Sequence, residues 1–368
     1  METAIKLLSA ILAVLLIVAA LLYFGVIGTP KTNPPEPTTV VTEPSTTAPP
    51  TTTEPTEPPT TTEPPTTTEP EPVIEASGRR VLWDGVEIET YYIDGDTTLM
   101  AQSQSIRLEV GEEYVAILDR ATELGYPMWE DPEDGTIYIT PSAKPFDIPE
   151  NVNVPVLMYH AVSDNMWGIN ELFVSPSEME NQLEYLMENG YDPIWFEDLA
   201  YIEQYDKPVI LTFDDGYDDN YTELLPLLQE YNVKATVFVI GNAPGTSHKM
   251  TAEQIKEMSD SGLVSIQSHG YTHDDMNTMS EETLEYELGE TWRVLTRITG
   301  KIPYVLCYPT GRYSDTTLEV AERWYTFGLK MNGGLYNTSD DPFLINRYYI
   351  SRYTDIYSFA SFISEAGT

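Results

Sequence analysis

Disulfides are excluded at the outset, because the 368-residue chain holds one cysteine, Cys307, and the fold must rest on its packed core. Basic side chains are scarce: 19 Lys and Arg stand against 59 Asp and Glu, for a formal net charge of −40. That charge repels phosphate backbones and anionic headgroups, so nucleic acid is not an expected partner. Histidine is the rarest titratable group after cysteine, with four in the chain, and two of these, His269 and His273, fall within five residues.

The one long uncharged run is at the N-terminus. Leu7 to Gly28 carries no charge over 22 residues, enough to cross a bilayer as a helix. The run is longer than a signal-peptide core and no A-x-A site follows it, so residues 1–28 read as a cytoplasmic tip and transmembrane anchor, with a cleaved signal peptide as the alternative. Residues 29–72 change to Thr, Pro and Glu, with TTTEP recurring and seven Glu against one Lys. Such a segment has almost nothing to bury, and its prolines and self-repelling charge extend it, so it reads as a disordered stalk. An anchor followed by a stalk places the rest of the chain outside the membrane, as the monomeric body of a single-pass cell-membrane protein.

Residues 73–146 have short apolar runs broken by Asp-Gly pairs, the pattern of hairpins, then EEYVAILDRATELGY as one helix closed by Gly125, then GTIYITP as a strand. This is a small α+β module without evident chemistry. From residue 150 to 368 strand-like runs alternate with helical ones: VPVLMY, KPVILTF, VKATVFVIG, LVSIQS and YVLCYP each precede an amphipathic stretch. Six or seven such units in roughly 220 residues is the size of a slightly short (β/α) barrel.

Polar residues cluster where those strands end: His160 after VPVLMY, Asp214-Asp215 after KPVILTF, His269 after LVSIQS, and Pro309-Thr310-Gly311 after YVLCY. In a parallel barrel all strand C-termini open on one face, so these groups converge at one mouth. Two adjacent carboxylates repel each other unless a cation is close. His269 and His273, four apart, can turn two imidazoles to one ion, and a 2-His-1-carboxylate set with an open position suits catalytic zinc and other divalent metals. Trp195, Tyr217 and Tyr271 offer faces for sugar rings.

TFDDGY, SHGYTH and YPTG, in this order and spaced by about 50 and 35 residues, resemble the polysaccharide deacetylase family, the NodB-homology domains of carbohydrate esterase family four. The resemblance covers about residues 150 to 360. It implies a distorted (β/α) barrel of about seven strands and a metal-dependent hydrolase removing acetyl groups from sugars. It further implies Asp214 as general base, Asp215, His269 and His273 as ligands of one divalent ion, Zn2+ by preference, and the Thr310 N–H as oxyanion donor. An amine leaves poorly as an anion, so a general acid is required. The family commonly places a histidine for this near the C-terminus, and no histidine follows His273. LMYH is similar to the branch resembling poly-N-acetylglucosamine deacetylases, in which the first strand supplies that histidine. The acid is then His160, and the substrate an N-acetylglucosamine-containing envelope or extracellular polysaccharide.

The chain departs from the family at two further points. The Arg that pairs with the base, two residues before the motif proline, is replaced by Cys307, and Arg347 in FLINRYYIS is the candidate substitute. The Ser or Thr usual after the first motif histidine is Gly270. The competing readings are a surface-anchored glycan-binding protein with an inactive barrel, and an O-acetyl esterase.

Overall fold

The computed structural model describes residues 71–108 and 113–367, all within one compact unit. The expected membrane segment, and the stalk as far as residue 70, lie outside the described residues. Among the described residues no helix is long and apolar enough to cross a membrane.

From residue 150 onward the chain builds a curled parallel sheet whose continuous path has seven strands: β1 (Val156–Tyr159), β2 (Pro208–Phe213), β3 (Ala235–Val239), β4 (Val264–Ser268), β5 (Val305–Cys307), β6 (Phe327–Leu329) and β7 (Tyr348–Tyr349); a two-residue strand, Asp192–Pro193, pairs with β2 off this path. Their spatial order is β6-β5-β4-β3-β2-β1-β7, with every neighbouring pair parallel. All six residues of β2 and all five of β3 are buried. Continuous apolar runs are what a strand covered on both faces requires. The two edges approach each other through residues 345–347: the Ile345 N–H donates to Gly328 and the Lys330 N–H to Ile345, each at 3.0 Å, and the Arg347 N–H to Asn332 at 3.2 Å. The short segment ahead of β7 thus draws the sheet towards a barrel.

The helices follow from their caps. Before α2 (Pro176–Glu188) the Ser175 hydroxyl accepts from the Glu178 N–H, and before α4 (Ala252–Asp260) Thr251 and Gln254 form a reciprocal capping box, which satisfies N–H groups that the helix start leaves free. The run YTELLPLLQEYN is less regular than its periodicity predicts. A π-turn spans Asn220–Leu224, and the α-helix, α3, is only Leu225–Tyr231. Pro226 explains the division, since proline is tolerated only in a first turn. The long α5 (Glu281–Thr299) buries Leu284, Leu288, Thr291 and Leu295 and ends at Gly300 in the left-handed region. Two further helices, α6 (Asp315–Trp324) and α7 (Ile356–Ile363), complete the outer layer.

Residues 71–146 form two four-stranded sheets around a separate apolar cluster that includes Val81, Ile117 and Ile139. At the Asp84-Gly85 hairpin both residues have positive φ, +51° and +84°, as a two-residue hairpin turn demands. The predicted helix of this module is shorter than its sequence pattern: Tyr114–Ala116 pair with Met100–Gln102 as a strand, and the α-helix, α1, runs Ile117–Leu124. Sheet pairing has overridden helical propensity there.

The module is fastened to α5. Arg297 donates to both oxygens of Asp131, at 2.6 and 3.0 Å, and its guanidinium lies 5.5 Å from the centre of the Trp129 ring. Trp129 meets Trp292 edge to face, and the Ile302 N–H donates to Thr140 Oγ1 at 2.9 Å. This seam lies at the end of the barrel where the strands begin, opposite the mouth.

Candidate active site

Asp214 directly follows β2, its N–H donating to the Tyr159 carbonyl of β1 at 2.9 Å. Both of its oxygens are held by Arg347: Nη1 donates to Oδ1 at 2.7 Å and Nη2 to Oδ2 at 2.8 Å. Arg347 is fully buried, and it also donates to Thr212 Oγ1 and to the Lys330 carbonyl. Cys307 Sγ lies 3.0 Å from Arg347 Nη2; a thiol in that position leaves room for a guanidinium arriving from the neighbouring edge of the barrel. Burial works to raise the Asp214 pKa, but Arg347 more than offsets it and holds the carboxyl below the ordinary carboxylate value.

Asp215 faces the other way. Its backbone is left-handed, φ +76°, a conformation that costs a non-glycine residue about 1–2 kcal/mol. The turn carries its carboxylate to His269 Nε2 at 3.4 Å and His273 Nε2 at 3.3 Å from Oδ1. Buried Asp215 Oδ1 accepts no hydrogen bond from the protein. His269 Nδ1 lies 2.8 Å from the Cys307 carbonyl; when it donates there, the Nε2 lone pair is left facing Asp215. Three donor atoms thus meet with unused lone pairs. In a tetrahedral site with ligand bonds near 2.0–2.1 Å, ligand atoms stand about 3.3–3.4 Å apart, so the residues fit a divalent metal ion.

His160 occupies the break after β1. Its Nε2 is 4.0 Å from Asp214 Oδ2, and its ring meets Tyr349 edge to face. Burial pushes its pKa below the ordinary imidazole value, against the attraction of Asp214 and Asp215. The alternation of the strand fails at this residue. The Met158 carbonyl accepts from Ile350 beyond β7 and the Tyr159 carbonyl from Asp214 beyond β2, so in a regular strand the His160 carbonyl would return to the β7 side. Instead it accepts from Asn220 Nδ2, at 3.0 Å, while Asp219 Oδ1 accepts the Val162 N–H at 2.9 Å. Asp219 and Asn220, both buried, therefore hold the backbone just after His160, at its own carbonyl and at the Val162 N–H. They stand two and three residues past TFDDGY in sequence, and that nearness was the available signal. Tyr349 carried no signal beyond its place after Arg347.

Thr310 is exposed and left-handed, φ +57°, in the turn Pro309–Gly311 after β5. Tyr217 is nearly buried; its ring packs against Trp167, and Lys249 Nζ sits 3.6 Å from the ring centre while donating to the Asp215 carbonyl. Tyr271 packs edge to face on Tyr286. Trp195 is not at the mouth: its Nε1 donates to the Ala235 carbonyl at the start of β3, which puts it on the barrel floor. His248 stacks on Trp167, ring centres 4.2 Å apart.

The sequence profile of the polysaccharide deacetylase family matches residues 202–326. YxkH of Bacillus subtilis, itself assigned to the polysaccharide deacetylases, is 32% identical over 204 residues, which cover 54% of this chain and 71% of that protein. The poly-beta-1,6-N-acetyl-D-glucosamine N-deacetylase of Staphylococcus aureus is 27% identical over 203 residues, covering 50% of this chain and 68% of the relative. Among solved structures, the Streptococcus pyogenes deacetylase PplD in complex with acetate is similar with TM-score 0.55 at 28% identity, over 58% of this chain and 99% of that one. The Bacillus cereus polysaccharide deacetylase BC0361 is similar with TM-score 0.56 at 26% identity, over 80% of this chain and 99% of that one.

Proposed function

The chain belongs to the polysaccharide deacetylase family, and from that premise we propose that it hydrolyses N-acetyl groups of an N-acetylglucosamine-containing envelope or extracellular polysaccharide. The observation that carries this reading is the division of labour between two adjacent carboxylates. Asp214 is locked to a guanidinium, and Asp215 is left open to two imidazoles.

In this reading Asp215, His269 and His273 hold one divalent ion, zinc by preference. When bound, the ion supplies Lewis-acid polarisation of the acetyl carbonyl and a water acidic enough to be deprotonated near neutral pH. Asp214 would accept a proton from the attacking water, and Arg347 keeps the Asp214 carboxylate ionised and aimed. The negative charge that develops on the carbonyl oxygen as it becomes tetrahedral is met by the Thr310 N–H, presented by the left-handed turn after β5. His160 delivers a proton to the departing nitrogen, without which the amine is too poor a leaving group. Tyr271 borders the site and offers a ring face to the glycan, whereas the Tyr217 ring is already covered by Lys249 and Trp167.

The substrate proposal draws on the staphylococcal relative, whose name specifies an N-acetylglucosamine polymer. We further propose that residues 1–28 anchor the chain in the cell membrane and 29–72 extend the enzyme outside it, on the composition of those segments. The test is acetate release from N-acetylglucosamine oligomers by zinc-loaded protein, with Asp214→Asn as control. Release that the control lacks is the expected result. Release from O-acetylated glycans alone would make the protein an esterase, and release from neither would leave a glycan-binding protein.

A further inference from the structure

Glu287 is a buried acid that the chemistry above does not use. It is 4% exposed and lies on α5 among Leu284, Leu288 and Thr291, on the face that packs inward. A carboxylate there is costly unless donors replace its water. The donors all come from one short loop. Oε2 accepts the N–H groups of Tyr271 and Thr272, both at 2.9 Å, and Oε1 accepts the Thr272 hydroxyl at 2.9 Å.

That loop is the link between His269 and His273. It is bounded by two left-handed residues, Gly270 at φ +70° and His273 at φ +67°. A side chain at position 270 would crowd the loop, since a Cβ there would fall 2.8 Å from Met276 Cε and 3.2 Å from Pro309 Cγ on a backbone already left-handed. The two residues between the bends, Tyr271 and Thr272, are those that Glu287 grips. A left-handed histidine is itself strained by about 1–2 kcal/mol, so without an outside hold the link would relax and turn the His273 imidazole away from Asp215.

We propose that Glu287 is a positioning residue for the metal site, fixing Tyr271 and Thr272 so that His273 stays directed at Asp215 and His269. The inference rests on the reading of those three residues as the metal ligands, and the test separates the two. Metal-free full-length protein is titrated with Zn2+ against a chromogenic chelator, and the melting temperature of the metal-free form is recorded alongside. Glu287→Ala is expected to weaken zinc binding 10- to 100-fold, the range seen when an outer partner of a ligand is lost. Glu287→Gln is expected to recover most of that loss, because its amide oxygen accepts both N–H groups and its NH2 can donate to Thr272 Oγ1. Thr272→Val, which removes the hydroxyl bond to Glu287 and a 3.3 Å bond accepted from the Asp274 N–H but leaves both backbone bonds to Glu287, should fall between them and serves if the alanine variant does not fold. Asp215→Ala is the reference. Zinc held as tightly by Asp215→Ala as by the native protein overturns the metal site itself. Zinc lost in Asp215→Ala but kept within twofold in Glu287→Ala or Thr272→Val, even with a lower melting temperature, overturns the positioning role.

Discussion

Arg347 reaches both oxygens of Asp214, at 2.7 and 2.8 Å, from 133 residues further along the chain. The pair is buried, so removing one partner strands the other. Arg347→Ala should destabilise the protein by about 3–5 kcal/mol and lower deacetylation at least ~100-fold, since the proton acceptor loses its orientation and its bias towards the ionised form. Arg347→Lys keeps the charge but not the two-pronged geometry, and should regain stability before activity. Calorimetry beside acetate release checks both; an unaltered melting temperature in Arg347→Ala would contradict the pairing.

Asn220→Ala removes the donor to the His160 carbonyl. If His160 protonates the leaving group, the loss should be about tenfold or more on an N-acetyl substrate and smaller on an activated aryl acetate, whose phenolate leaves unaided. His160→Ala should show the same contrast more strongly, at roughly two to four orders of magnitude on the amide. Equal losses on both substrates, with zinc retained, would speak for a role in shaping the site.

Gly311 has φ +69°, and a Cβ added there would lie 2.6 Å from Met331 Cβ and 2.8 Å from Met331 N. Gly311→Ala must therefore displace the turn that presents Thr310. The expected outcome is a 10²- to 10³-fold fall in kcat, the usual cost of one lost oxyanion donor, with zinc content unchanged. Native turnover in this variant would remove Thr310 from the mechanism.

Glu197 lies by the barrel floor, where burial above all, with Asp84 and Asp198 adding repulsion, raises its pKa to about 7 from an ordinary 4.5. A carboxyl raised by folding favours the folded state fully below the unfolded pKa, and this contribution is lost as pH rises from about 4.5 through 7. Glu197→Gln, which cannot ionise and still accepts from the Tyr304 hydroxyl, should be more stable than native protein at pH 8, by about 3 kcal/mol. The gap should vanish below pH 4.5. Denaturant melts at both pH values decide it.

Much of this site was legible because its chemistry is local in sequence. TFDDGY and SHGYTH each supply two functional side chains at strand ends, and strand order in a parallel barrel brings such ends together. Arg347 could be marked only as a candidate, since its meeting with Asp214 depends on how the last strand draws in beside the first. Asn220 and Glu287 were missed for different reasons. The role of Asn220 depends on a failure of strand alternation at His160, which no periodicity encodes. Glu287 did leave a trace, an acid at the i+3 position between Leu284 and Leu288 on an apolar stripe. Trp195 was misplaced because an aromatic side chain after a strand-like run does not declare which end of the barrel it caps.

If residues 1–72 tether the protein as proposed, the seam between Arg297 and Asp131 is where load would enter the barrel. Thr140 is bonded to Ile302 just past the end of α5, so tension applied ahead of the module would meet this seam before it reached β1 and the strand break at His160. The same helix grips the histidine loop through Glu287, ten residues nearer its start than Arg297, about 15 Å along the axis. Drag from a moving glycan strand would then load the same helix that we propose positions the histidine loop, and the stiffness of α5 would become a condition for working under tension.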